Sequence, residues 1–239
     1  MRIDKFLANQ NIGSRSQVKQ YIKKGMISVN GTVCNSPEQK IDENTDLISY
    51  NGTIIGYQKH HYYMLNKPAG CVSATNDNLH TTVLDLLKGS VPVKSLFPVG
   101  RLDIDTEGLL LITDDGELSH NLLSPSRHVA KTYFARINGL VTKEHIKAFK
   151  DGLDIGDDKP TKPGTLVIKS ANPDTSTSEI LLTITEGRYH QVKRSFEVLG
   201  MKVTYLKRLS MGNLALDEAL APGEFRELTE TELQALVRK

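Results

Sequence analysis

The stretch VGRLDIDTEGLLLITDDGEL, residues 99–118, decides how the larger part of the chain is read. Gly108 to Thr113 (GLLLIT) is an unbroken apolar run of strand length, which predicts a buried strand. Asp114-Asp115-Gly116 turns the chain, and Glu117 to Leu123 predicts a helix. Ahead of the strand, acid and base alternate in a loop. Arg101 and Asp103, two residues apart, aim at one side of an extended segment. Gly100 and Gly108 admit unusual backbone angles and close approach of a ligand. A surface turn with a local ion pair and a reactive loop both fit these residues.

Outward from this core, Tyr62 to Asn66 is apolar and meets Lys67-Pro68-Ala69-Gly70, a turn signal. Thr82 to Leu87 predicts a short helix. Lys131 to Asn138 (KTYFARIN) alternates like a strand. A helix is expected from Thr142 to about Lys150, with Gly152 after it. Strands follow at Leu166–Lys169 and Glu179–Thr185. Gln191 to Leu199 reads as a helix ended by Gly200. Val203–Leu206 and Asn213–Leu216 read as strands, and Thr229 with Glu232 caps a last helix. Mixed order with hairpin-length loops predicts an α+β fold with a mixed, largely antiparallel sheet, not a doubly wound parallel one. Within it, Glu186 to Arg194 (EGRYHQVKR) joins a strand to a helix start and carries several cations, which suits phosphates or a carboxylate partner. Tyr133, in Lys131-Thr132-Tyr133, is either a core side chain or, beside basic residues, a base-stacking one.

The first 56 residues read as a separate small unit. Ile3, Phe6 and Leu7 recur at helical spacing. Ser14 opens a second helix with Gln17 completing a capping box; Val18, Tyr21 and Ile22 form its apolar stripe, and Gly25 ends it. Asn30-Gly31 and Asn51-Gly52 each sit between short β-prone runs, the strongest two-residue hairpin signal. Residues 1–33 hold six cations against one acid, whereas residues 34–56 hold one cation against four acids. The net charge of +2 over 239 residues therefore conceals a basic N-terminal face, which is either simply solvated or attracts polyanions. Gly56 to His61 is polar, and residues 57–61 are read as a linker to the unit at 62–239.

Composition closes several other routes. With 38% hydrophobic and 24% charged residues the chain is neither disordered nor membrane-embedded, and no apolar run approaches the roughly 20 residues of a spanning helix. The start lacks an apolar signal region. Cys34 and Cys71 cannot build a disulfide framework, and a reducing cytoplasm is expected. His60-His61 point to opposite sides of an extended chain with no third ligand near, so no metal site is expected. No phosphate loop or dinucleotide fingerprint is present. No apolar stripe is left over, and a monomer is expected.

Two resemblances follow. RIDKFLA, SRSQVKQYIKKGMISVNG and VCNSPEQKI resemble the RNA-binding domain first described in ribosomal protein S-four. That likeness places Arg2, Lys5, Arg15, Ser16, Lys19 and Lys23 at RNA. MLNKPAG, VGRLDIDTEGLLLITDDGEL, the stretch from Ser124 to Tyr133, EGRYHQVKRSFEVLG and APGEFRELTE, in that order, resemble the RsuA/RluB/RluE/RluF group of pseudouridine synthases, whose members pair such a domain with a catalytic one. DTEGLLLITDDGELSH, EGRYHQVKR and TTVLDLL look most like the branch acting on small-subunit ribosomal RNA. The resemblance implies isomerisation of a uridine in 16S RNA, alone or in a small-subunit assembly intermediate, with Asp103 as the catalytic carboxylate. It makes Tyr133 the stacking tyrosine and Lys193 the cation that favours the charged carboxylate. Arg101 holds or replaces the extruded nucleotide, Arg188 and Arg194 contact RNA, and Asp105 receives no chemistry. The reaction gains no atoms and changes no oxidation state, so no cofactor is implied. A large-subunit hairpin as target and a non-catalytic assembly factor are the alternatives; a glycosidase is disfavoured because its two carboxylates must flank the bond, and Asp103 and Asp105 share one loop.

Overall fold

The computed structural model describes residues 1–237 other than Asn11, Tyr57, Gln58, Pro92 and Lys94. Packing divides the chain into two compact units, Met1–His60 and His61–Lys239. Two residues of the expected linker, Tyr57 and Gln58, lie outside the described residues.

In the first unit, α1 (Ile3–Asn9) and α2 (Arg15–Lys23) accompany a four-stranded antiparallel sheet of β1 (Ile27–Val29), β2 (Thr32–Val33), β3 (Ile48–Tyr50) and β4 (Thr53–Ile55), ordered β2-β1-β3-β4. The local chemistry is that of the sequence. The Gln17 amide donates to Ser14 Oγ at 3.3 Å, and the Ser14 amide donates to Gln17 Oε1 at 2.8 Å, closing the capping box. Asn30 and Gly31, and again Asn51 and Gly52, take positive φ at both turn positions, as a hairpin matched to strand twist requires. Ile3, Phe6, Leu7, Val18, Ile22, Ile27 and Ile48 form the core.

The second unit is built on a nine-stranded mixed sheet. Its members are β5 (Tyr62–Lys67), β6 (Phe97–Pro98), β7 (Glu107–Thr113), β8 (Lys131–Asn138), β9 (Thr165–Asn172), β10 (Thr177–Ile184), β11 (Lys202–Met211), β12 (Leu214–Ala215) and β13 (Phe225–Glu227). The order is β13-β5-β7-β11-β8-β10-β9, with β6 on β7 and β12 on β11. Among these, β7 and β11 run parallel at Glu107 and Gly108, and the other pairs are antiparallel. The helices are α3 (Gly116–Leu123), α4 (Lys143–Asp151), α5 (Gln191–Glu197) and α6 (Glu230–Val237).

The apolar run in β7 is explained by cover on both faces. Leu110 and Ile112 join a core with Leu65, Tyr133, Ala135, Ile137 and Phe196. Leu109 and Leu111 join Met64, Met211 and Leu214, together with Leu118 and Leu122 of α3 and Leu236 of α6. Gly108 is required where β7 meets β11: its φ is +101°, and a Cβ there would lie 2.2 Å from the Arg208 carbonyl oxygen.

One expected helix is absent. Thr82–Leu87 is a series of turns, because Asp85, Leu87 and Lys88 each donate to the carbonyl three residues back, and the Asp85 carboxylate is drawn back onto the Thr82 amide and hydroxyl. A helix needs bonds four residues back. The short strands β6 and β13 were not foreseen; two or three residues carry no readable alternation, and β13 exists only because the edge of β5 offers it partners.

Candidate functional site

The loop from Val99 to Thr106 joins β6 to β7 and is held from beneath. Lys67, last residue of β5, is fully buried, and its Nζ donates to the carbonyls of Thr106 (2.9 Å), Pro68 (3.0 Å) and Asp103 (3.1 Å), with Ile104 at 3.4 Å. Burial pushes this ammonium's pKa below its ordinary value, against the attraction of nearby acidic groups. The Gly70 amide donates to the Ile104 carbonyl at 2.7 Å. Ser73 Oγ donates to the Leu102 carbonyl and accepts from the Leu102 amide, both at 3.0 Å. Gly100, at φ +76°, makes the bend, and a Cβ there would come 2.9 Å from Leu123.

This scaffold presents Asp103 to the start of α5. Lys193 Nζ lies 3.1 Å from Asp103 Oδ2 and 2.6 Å from Asp105 Oδ1, so one ammonium bridges both carboxylates of the loop. Burial lowers the Lys193 pKa, but the two carboxylates reverse this and leave it raised. Burial raises that of Asp105, and Lys193 more than offsets it, leaving Asp105 below the usual carboxylate range. Asp105, expected to be without chemistry, is thus the tighter partner of Lys193. His190 adds a contact that sequence reasoning missed: its Nε2 is 3.5 Å from Asp103 Oδ1. Its neighbourhood in EGRYHQVKR was visible, but only the left-handed backbone of His190 (φ 48°) turns the ring to the loop.

Tyr133, on β8 and buried, lines the same cleft as Arg101, Asp103, Thr106, Arg188, His190 and Lys193. The cleft is open to solvent and, counting the open space at its mouth, spans about 450 Å³. Arg101 is exposed and makes no hydrogen bond or ion pair among the described residues. Two arginines expected at RNA are engaged internally instead. Arg188 binds Glu186, Asp157 and the carbonyls of Lys159 and Pro160. Arg194 binds Asp157 and the carbonyls of Ile155 and Tyr189. Planar guanidinium forks suit such multiple anchoring, and together they fasten the segment around Asp157 to the turn carrying His190. No group of three or more His, Cys, Asp or Glu side chains gathers at metal-binding spacing among the described residues.

In the first unit, Lys5 on α1 and Arg15, Ser16, Lys19 and Lys23 on α2 are exposed. Arg2 differs from the expectation. Its guanidinium holds the buried Asp4 at 2.9 and 3.1 Å and reaches Glu38 at 3.3 Å. Burial raises the Asp4 pKa, but Arg2 outweighs it and keeps the carboxyl below its usual range. Arg2 is the counter-ion of a buried carboxylate although its own side chain is exposed, and Lys5, Lys24, Lys40 and the cations of α2 are exposed as well.

The model describing RNA pseudouridylate synthase matches residues 61–198, and the S4 domain model matches residues 1–47. The chain belongs to the RNA pseudouridylate synthase family. An uncharacterised RNA pseudouridine synthase of Bacillus subtilis is 46% identical over 99% of this chain and 98% of its own. The ribosomal small subunit pseudouridine synthase A of Escherichia coli is 40% identical over 99% of this chain and 100% of its own. A crystal structure of a pseudouridylate synthase superimposes with a TM-score of 0.67 at 38% identity, covering 99% of this chain and 100% of that one. The pseudouridine synthase unit here is the one holding the Asp103 cleft, and the S4 domain is the one bearing the basic α2 face.

Proposed function

We propose that this pseudouridine synthase isomerises a uridine of 16S ribosomal RNA, with Asp103 as its catalytic carboxylate. The observation that carries the reading is Asp103 at 3.1 Å from Lys193, in a cleft also lined by Tyr133. The reaction breaks the bond between ribose C1′ and N1 of uracil, turns the base, and joins C1′ to C5. The C5 proton is lost and N1 gains one, so the atoms balance. Positive charge develops at C1′ as the bond loosens, and a fixed anionic oxygen there stabilises it. Lys193 and His190 orient Asp103 for that task, and Lys67 and Ser73 fix its backbone.

The uridine must first leave its stack, at a cost of a few kcal/mol. Stacking on Tyr133 offsets roughly 1–3 kcal/mol of this. Arg101, free of protein partners, suits the phosphate of the extruded nucleotide. Lys5, Arg15, Ser16, Lys19 and Lys23 supply affinity that is largely independent of base identity. Small-subunit RNA as substrate is supported by the full-length likeness to an enzyme named for that subunit. No helix among the described residues is long and apolar enough to cross a membrane; we read the enzyme as a cytoplasmic monomer acting on 16S RNA or on an assembly intermediate.

The test is to incubate the protein with 16S and 23S transcripts and partly assembled small subunits, mapping pseudouridine by chemical adduct stops. A new stop in 16S RNA that Asp103→Asn abolishes is expected. A stop confined to 23S RNA overturns the target, and an equal stop from the Asn variant overturns the role of Asp103.

A further inference from the structure

Tyr189 stands between Arg188 and His190, which both line the cleft, and has 69% of its surface exposed. Its ring is stacked on His190, centroids 3.8 Å apart and planes 18° from parallel. The other edge of His190 faces the catalytic carboxylate, Nε2 to Asp103 Oδ1 at 3.5 Å. The imidazole thus meets the carboxylate at its edge and the phenol ring on its face. A single exposed aromatic ring is ordinary on a protein surface. The backbone that carries this one is held in place. Its carbonyl accepts from Arg194 Nη1 at 3.2 Å. The preceding Arg188 is anchored to Glu186, Asp157 and two carbonyls, and the Arg188 amide donates to Gln191 Oε1 at 3.0 Å. The backbone is fixed before any ligand arrives and His190 backs the ring, so little conformational entropy is lost when something lands on it.

We propose that Tyr189 is a stacking platform for a nucleobase adjacent to the extruded uridine in the RNA. The inference rests on the function proposed above and extends it to the substrate's flanking nucleotides. Every base has a π face that an exposed aromatic accepts. The cleft cations Arg101 and Lys193 favour a polyanionic strand over an apolar partner. Extruding one nucleotide also unstacks its neighbour, and a ring one layer beyond His190 gives that neighbour a replacement. Tyr133 and Tyr189 then divide the work: the first takes the target base inside the cleft, and the second holds the flanking nucleotide beside it, whatever its base.

Two readouts test this on whichever ribosomal transcript the wild type modifies. Tyr189→Ala is expected to lose about 5- to 150-fold in kcat/KM, the worth of stacking one base, and Tyr189→Phe to recover most of it. Because Tyr189 is so exposed, thermal unfolding of both variants should stay near that of the wild type. The chain has no tryptophan, so Tyr189→Trp installs a single tryptophan whose emission, excited beyond the tyrosine absorption, should be quenched as RNA saturates the protein. An alanine variant as active as the phenylalanine variant, or tryptophan emission unmoved at saturating RNA, overturns the platform and leaves the proposed function standing. A wild type that modifies neither 16S nor 23S RNA overturns both.

Discussion

Replacing Lys67 with methionine removes an ammonium from beneath the catalytic loop while keeping the volume of the side chain close to its original value. Lys67 is fully buried and makes three good hydrogen bonds, at 2.9, 3.0 and 3.1 Å, to the carbonyls of Thr106, Pro68 and Asp103. Bonds of this kind to a charged group contribute about 1.5–3 kcal/mol each. Against that stands the desolvation of the ammonium, several kcal/mol, which the lowered pKa of Lys67 reflects. Methionine removes both terms but strands the Thr106 carbonyl, at about 1–3 kcal/mol, while the Asp103 carbonyl keeps the Thr106 amide at 3.1 Å and the Pro68 carbonyl keeps a weak bond from Cys71 Sγ at 3.5 Å. The Ile104 carbonyl keeps its bond from the Gly70 amide. A net loss of about 3 kcal/mol is expected, in line with removing one partner from a buried charged contact. For a unit of this size each kcal/mol moves Tm by about 2–4 °C, so unfolding should come about 6–12 °C earlier. The effect on turnover should exceed that on binding, because the loop loses the ammonium that ties Asp103 and Thr106 to the end of β5, the carboxylate can drift, and a misplacement of about 1 Å costs on the order of 100-fold. Calorimetry gives the first quantity; single-turnover rates and filter binding at 25 °C, where the variant stays folded, give the second. A variant unfolding within 2 °C of the wild type, at an undiminished rate, would refute the reasoning.

Three more perturbations check other parts of the molecule. Gly108→Ala should destabilise the second unit by several kcal/mol and yield mostly insoluble protein, because its Cβ meets backbone of β11 at 2.2 Å; a soluble variant with an unchanged Tm counts against the close approach. Glu232 is bound by Arg226 at 2.7 and 2.8 Å, and that contact chiefly holds its pKa down at about 2, against 4.5 for a free carboxyl. A depressed carboxylate contributes stability above pH 4.5 that is lost as the pH falls toward about 2, on the order of 3 kcal/mol for a shift of this size. Glu232→Gln should therefore lower stability at pH 7 and flatten the acid limb of the unfolding curve, and overlapping acid titrations would discount the pair. Changing Arg15, Lys19 and Lys23 together to glutamine should reduce the slope of log affinity against log salt by roughly 0.7–0.9 for each phosphate that is no longer neutralised; an unchanged slope removes α2 from the RNA face.

Much of this protein was legible before folding wherever chemistry is local. The capping box at Ser14 and Gln17, the two Asn-Gly hairpins and the apolar run at Gly108–Thr113 each depend on residues a few positions apart, and each formed as read. Thr82–Leu87 misled because the Thr82–Asp85 capping contact opens a turn as it would a helix, but the chain continues only with bonds three residues back. Asp103, Tyr133 and Lys193 were named from motifs, and they line one cleft.

Tertiary structure decided which charges are free. Arg2, Arg188 and Arg194 look as available in the sequence as Arg101, Lys19 and Lys23. Asp4 stands two residues from Arg2 in the sequence itself, whereas only the fold brings Asp157 and the carbonyls at Ile155, Lys159 and Pro160 to Arg188 and Arg194. The same holds for Lys67, whose acceptors in the loop lie 36 to 39 residues away, and for His190, which reaches Asp103 across the cleft. Residue order specifies backbone propensity and the inventory of charges, since both act over a few bonds. The partner each charge finds depends on strand order and loop closure, and those are settled only when distant segments pack together.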